Sequence, residues 1–377
     1  MSLPYLCKTP IRETDSKEAV TFHDENLSYK GYNLFVANNE EPKVYLIDME
    51  GNVINEWSVK NEDISKIGFA EFLKDGNLIL QADYDKLYML DWESNIRWVI
   101  NIAAHHDADT ADNGDIFVLT YKWEIILLCG LPVPIKVEYV TVLSKDGDVK
   151  NEISLLSQYK DVISVPTIIK LYHFMLNPNL VWKIIEKGVI DNCFFDNDVQ
   201  RSHLLTQEDL KFDVYHTNSV ESAERDIDGL CEKGDILVSS FFTSDLLIFN
   251  AADGKVVWKL NKKFDGLHAA SFLKNGNVLF FENGKHRDYS RVIEVEPKKE
   301  SIVWQYMATP PQSLFSKTQG SCQRLDNGNT LITESNKGHV FEVTKDGKIV
   351  WDYYSPIVNE TSRLIIYRMR RIENLVN

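Results

Sequence analysis

The chain has 377 residues, 44% of them hydrophobic, with 18 Phe, 16 Tyr and 8 Trp, ample apolar mass for a packed core and too much for a disordered chain. Its 41 Lys+Arg against 56 Asp+Glu give a formal charge of −15, a field that repels phosphate backbones and anionic lipid, so neither nucleic acid nor a membrane is expected as a partner. Cys7, Cys129, Cys193, Cys231 and Cys322 are widely spaced with no CxxC pair, which argues against a disulfide framework and a structural zinc site.

Residues 1–30 form a polar N-terminal extension with Pro4 and Pro10 and no apolar stretch of the kind a secretory signal needs, so a cytoplasmic protein is expected. From residue 31 onward one unit recurs. An apolar strand, an x-Gly-Asn/Asp turn and a second apolar strand are followed by a third strand, another turn and a fourth strand ending in Trp. The first turns lie at Lys74-Asp75-Gly76-Asn77, Asp112-Asn113-Gly114-Asp115, Glu232-Lys233-Gly234-Asp235, Lys274-Asn275-Gly276-Asn277 and Asp326-Asn327-Gly328-Asn329. Asp-Gly and Asn-Gly between alternating apolar residues are strong hairpin signals. Trp57 to Trp98 is 41 residues, Trp258 to Trp304 is 46 and Trp304 to Trp351 is 47. Four strands in about 40–50 residues is the period of a propeller blade.

Six such units fit, at 31–59, 66–101, 105–154, 216–260, 267–306 and 319–354, and predict an all-β, six-bladed β-propeller over 31–377. The tail, 357–377, reads as a strand that closes the ring against the first unit. Within the third unit the most apolar run, 125–142, is broken by Pro132, Pro134, Lys136 and Glu138, and so is no transmembrane helix. Residues 155–212 break the period, with apolar residues at helical spacing (Ile168, Leu171, Tyr172, Met175). They predict a small helical insertion between blades three and four.

Three histidine sites open successive units. His105 and His106 begin the third, His216 the fourth and His268 the fifth, and His106, His216 and His268 precede the turn glycines Gly114, Gly234 and Gly276 by 8, 18 and 8 residues. Equivalent starts of successive blades converge on one mouth of a propeller, so the three imidazoles are expected to share a site. Imidazoles so placed suit either a metal site or a nucleophile with acid/base helpers. The acidic run Asp107 to Asp115 has Asp112 where an EF-hand-type loop needs Gly, so calcium is not expected there.

Several segments together carry a family resemblance. Asp213-Val-Tyr-His216-Thr-Asn218-Ser219 resembles the D-x-x-H-x-N-S segment of the arylsulfate sulfotransferase family. Gly266-Leu-His268 with Asn275-Gly276-Asn277 and Glu282-Asn283-Gly284 resembles its H…NGN…DNG block. Ser290-Arg291, the Gly320 to Leu331 segment and Val340-Phe-Glu342-Val fit as well. The resemblance implies transfer of a sulfuryl group from an aryl sulfate ester to a phenol through a sulfated histidine, with no nucleotide donor and no cofactor. It makes His268 the nucleophile, places His216, Asn218 and His106 in the catalytic group, and puts His105, Arg291, Asn283 and Phe241 around the substrate. Phe241 stands where the family places an Arg, and Arg291, Arg287, Lys285 and Lys122 are the cations that could replace it. A binding propeller without catalysis and a metal-dependent hydrolase or lyase remain the alternatives.

Overall fold

The computed structural model describes residues 8–12, 18–60, 62, 64–83, 85–159, 163, 165, 168, 169, 172, 213–260 and 264–375. Apart from the single turn Leu156–Tyr159, the expected helical insertion falls almost entirely outside the described residues. The turn glycines open the description. Gly276 and Gly328 have φ of +86° and +90°, a backbone that L side chains adopt only under strain, and each reverses the chain between a first and a second strand.

These reversals build seven antiparallel sheets, and the architecture is all-β and propeller-like. Five sheets are consecutive in the chain and begin at Ile67–Phe72, Ala104–Thr110, Thr217–Ser222, Leu267–Phe272 and Ser321–Arg324. The remaining four-stranded sheet joins Tyr32–Ala37, Lys43–Ile47 and Val53–Trp57 to Met369–Ile372, with Ile372 opposite Tyr32, so the two ends of the chain meet in one sheet. Counted from this one, the sheets run first to sixth. The sixth gains a fifth strand, Val20–His23, on its outer edge beside Ile349–Tyr354. The small seventh sheet pairs Lys8–Pro10 with Ser362–Leu364 and Ile357–Asn359.

Leu78–Ala82, Ile236–Ser240, Val278–Glu282 and Thr330–Glu334, the second strands of four sheets, are buried at every residue. Apolar cores lie between consecutive sheets, for example Trp57, Leu78 and Tyr88 between the first and second, and Ile47, Val340 and Trp351 between the sixth and first. The repeated Trp has a polar reason as well as an apolar one. Trp57 donates its indole N–H to Asp91 O, Trp98 to Lys145 O, Trp258 to Pro297 O, Trp304 to Lys345 O and Trp351 to Met49 O. Every one of these bonds runs from the last of a sheet's repeat strands to a carbonyl near a turn of the next sheet, and the Trp351 bond runs from the sixth to the first.

Candidate active site

The starts of the first strands fix the site. In the third, fourth and fifth sheets the last pair before the turn is Thr110↔Ile116, Ser222↔Ile236 and Phe272↔Val278. Counting four residues back from these pairs reaches His106, Asn218 and His268. The expectation that His216 shares the register of the other two is therefore corrected, for it stands two residues earlier. The longer spacing to the turn glycine thus has two sources, the loop after Ser222 and this offset of two residues. Ser222 and Ile236 are 14 positions apart where Thr110 and Ile116 are 6, which accounts for eight of the ten extra residues between His216 and Gly234. The same count in the remaining sheets gives Arg368, Gly68 and Gly320.

The strands are bulged here, with register slips between Ala104 and Ala108, Thr217 and Ser219, and His268 and Ser271. His106, His216 and Ala269 have φ of +60°, +54° and +51°. A left-handed backbone at a non-glycine residue costs about 1–3 kcal/mol, and bulges of this kind re-aim side chains beside functional sites. His216 thereby reaches the other rings despite its offset. Ring centroids are 4.6 Å apart for His106 and His216, 6.0 Å for His216 and Phe241, and 5.3 Å for Phe241 and His268. His105 packs on His106 with their Nδ1 atoms 2.6 Å apart.

What holds each ring decides what it can do. Asn283 gives its amide hydrogens to Ser316 O at 2.8 Å and Gln319 O at 2.5 Å. Carbonyls only accept, so the amide is oriented and its Oδ1 must accept from His268 Nδ1–H at 2.7 Å. Nε2 of His268 is left as the nitrogen with a lone pair. Burial pushes the His268 pKa down to about 3, with the neighbouring His216 acting in the same direction and the Asn283 bond opposing them, so the ring is neutral at neutral pH. His216 is held differently. Asp213 accepts both its backbone N–H at 3.1 Å and its Nδ1–H at 2.6 Å. Burial would raise the Asp213 pKa, but Lys136 at 3.2 Å and His216 hold it well below the usual carboxylate range.

Behind this pair lies a buried support. Lys136 lies 3.4 Å from Glu138, and Glu138 Oε2 accepts from Thr217 N–H at 2.8 Å. Burial and the Asp213 charge raise the Glu138 pKa. Burial also depresses the pKa of both His105 and His106, so these neutral rings share one proton across their Nδ1 contact. Among the described residues no group of three or more His, Cys, Asp or Glu is arranged to hold a metal ion.

A family model described as Arylsulfotransferase (ASST) matches residues 70–355, well over half of the chain and every strand that carries a histidine of the cluster. The chain belongs to this arylsulfotransferase family. Aryl sulfates and phenols are the substrates the family implies in general. No curated protein matches the chain. Among solved structures, a Bacteroides caccae protein of unknown function is 14% identical with a TM-score of 0.52, covering 91% of this chain and 100% of its own. A streptogramin B lyase is 12% identical with a TM-score of 0.49, covering 93% and 87% respectively. Likeness at this level bears on the fold alone.

Within this arylsulfotransferase the structure separates the residues singled out by sequence. It brings together His105, His106, His216, His268 and Phe241. Asn218 is adjacent but otherwise occupied. Its amide donates to Leu267 O at 2.6 Å and its carbonyl accepts from Ser239 Oγ at 2.7 Å, so it braces the strand that carries His268. Asn283 is fully buried and holds His268, a correction to its expected place against substrate. Arg291 is corrected too. Its guanidinium is bound to Glu282 at 2.6 Å and to Gln305 at 3.1 Å. Asp213, Lys136 and Glu138 carry roles that sequence reasoning did not assign. Their signals were Asp213 three residues before His216, and two charges interrupting an apolar strand.

Proposed function

We propose that this protein is a six-bladed propeller that moves a sulfuryl group from an aryl sulfate ester to a phenol through a sulfated His268. Nε2 of His268 attacks sulfur, the S–N bond forms as the S–O bond to the aryl group breaks, and the electron pair leaves with the phenolate. An acceptor phenol then gives its proton to His216 Nε2 and attacks the same sulfur, the S–N bond breaks, and neutral His268 is restored. Asp213 keeps the His216 ring in the tautomer that exposes Nε2 and stabilises the imidazolium that forms. The observation that carries this reading is the hydrogen-bond chain from Ser316 O and Gln319 O through Asn283 to His268 Nδ1, which supports an unprotonated Nε2 in a buried ring at neutral pH.

The test is rapid mixing of the wild-type protein with 4-nitrophenyl sulfate in the absence of acceptor. The expected result is a burst of one nitrophenolate per chain, with the mass of one SO₃ group added to the peptide containing His268. His268→Ala removes both burst and adduct, and leaves the melting temperature near that of the wild type. Absence of a burst, of an adduct and of transfer to added phenol in the wild type would sink the reading.

A further inference from the structure

Phe241 removes the guanidinium that the resemblance leads one to expect, and an anionic sulfate ester beside buried imidazoles needs a cation. Four cations were available in the sequence, and three are neutralised where they stand. Arg287 and Arg291 both bind Glu282, at 2.5 and 2.6 Å, and Lys122 binds Glu152 at 2.5 Å. Lys285 is different. Its ammonium meets only uncharged acceptors, Phe241 O at 3.0 Å, Phe242 O at 2.9 Å and Ser244 Oγ at 3.4 Å. Among the described residues no carboxylate lies within ion-pair distance of it, and the nearby Asp265 is taken up by His286 at 2.7 Å. Its Nζ sits 5.3 Å from the centre of the Phe241 ring.

That ring lies against both His216 and His268. Lys285 follows Asn283 by two residues, on the loop that leaves the strand Val278–Glu282 at the end where His268 begins its own strand. The Phe241 ring thus stands as a platform beside another cation. We propose that Lys285 binds the sulfate oxygens of the donor ester, with Phe241 and Phe242, 5.4 Å apart, as the aromatic wall for its aryl ring. This rests on the reading of the site as a sulfuryl transferase and names the group that selects its anionic donor. Carbonyls orient the ammonium without cancelling its charge, and a sulfate oxygen replaces one of these weak acceptors with a charged one.

The experiment compares wild type, Lys285→Met and Lys285→Arg by steady-state kinetics with 4-nitrophenyl sulfate and phenol, and by direct titration of 4-nitrophenyl sulfate onto a His268→Ala background. A charged hydrogen bond of about 1.5–3 kcal/mol converts to a roughly 10- to 150-fold loss. Lys285→Met should raise the donor KM and the donor dissociation constant by that factor, leave the KM for phenol unchanged, and melt like the wild type. Lys285→Arg should restore most of the donor affinity, which a merely structural lysine would not require. Unchanged donor binding in a folded Lys285→Met protein overturns the proposal while sulfuryl transfer stands. Lysine-dependent binding without turnover in the wild type keeps the anion site and removes the transferase reading. A wild type that neither binds nor turns over the ester removes both.

Discussion

His268 and His339 sit on neighbouring sheets, the first buried and the second half-buried, yet they are held in opposite protonation states. His268 has a neutral amide as partner, and burial carries its pKa down to about 3. His339 lies between two carboxylates, with Nδ1 3.1 Å from Glu334 and Nε2 2.6 Å from Asp352, and is stacked on Tyr354 at 4.3 Å. Burial opposes protonation there too, but the two acceptors raise the pKa. Desolvation is common to both sites, so the partner decides. An amide facing a ring makes a nucleophile, and carboxylates facing both ring nitrogens make a structural cation. Of the site histidines His268 is of the first kind, His105 and His106 face each other, and His216 has a single carboxylate, the arrangement that suits the proposed transient base.

The comparison is broken most sharply by giving His268 the partner of His339. Asn283→Asp puts a carboxylate against Nδ1 and raises the pKa of the ring, which shifts it toward the imidazolium, the form with no lone pair on Nε2. We expect kcat with 4-nitrophenyl sulfate to fall about 10- to 100-fold at neutral pH, each tenfold matching one unit of pKa above the assay pH. The loss should shrink as pH rises, because a raised pKa restores the neutral ring only in alkali. The variant also loses the amide donors to Ser316 O and Gln319 O, so its melting is measured alongside. A rate deficit that is constant with pH would show that Asn283 acts by position alone.

The reverse case is His339→Gln, which leaves Glu334 and Asp352 without their shared imidazolium. Loss of two charge-assisted bonds should cost about 1–3 kcal/mol in urea unfolding, with sulfuryl transfer unchanged. The sign of the pH effect follows from the raised pKa. The folded state binds the proton more tightly than the unfolded chain, so the stabilisation is complete below the ordinary histidine pKa and is lost as pH rises through the raised value. The difference between wild type and variant should therefore be larger at about pH 5 than at about pH 9. An equal difference at both values would remove the cation from the account of His339.

These contrasts also mark what the sequence could tell. The all-β repeat was legible because its causes are local: glycine at left-handed turn positions such as Gly276, and a Trp at a fixed place in the last repeat strand. The destination of each Trp, a carbonyl of the next sheet, was not, since it depends on packing between units. The mouth of the site was legible in outline from the starts of three strands. Its register was not, because the loop between Ser222 and Ile236 supplies eight of the ten extra residues and hides the two by which His216 stands before the level of His106 and His268. Nor could spacing separate Arg291 from Lys285. Both follow the same strand within nine residues of Glu282, and only the fold shows that Glu282 takes one and leaves the other.

The smallest expected effect sharpens the contrast without any assay of turnover. A depressed pKa makes the folded state bind fewer protons than the unfolded chain, so stability falls as pH drops from about 6.5 toward 3, by at most about 1.4 kcal/mol per pH unit for each such ring. His105 and His106 contribute in the same sense as His268, while His339 contributes the opposite slope at higher pH. In His268→Gln the acid slope of unfolding free energy should be shallower than in wild type by up to that amount between about pH 4 and pH 6, whatever the variant's absolute stability. Slopes rather than stabilities carry the comparison, because removal of the ring also removes its packing against Phe241. Parallel slopes would mean that His268 titrates near its ordinary value in the folded protein. The ring would then gain its proton across the ordinary histidine range, and burial against Phe241 would contribute nothing to keeping the Nε2 lone pair free in mild acid.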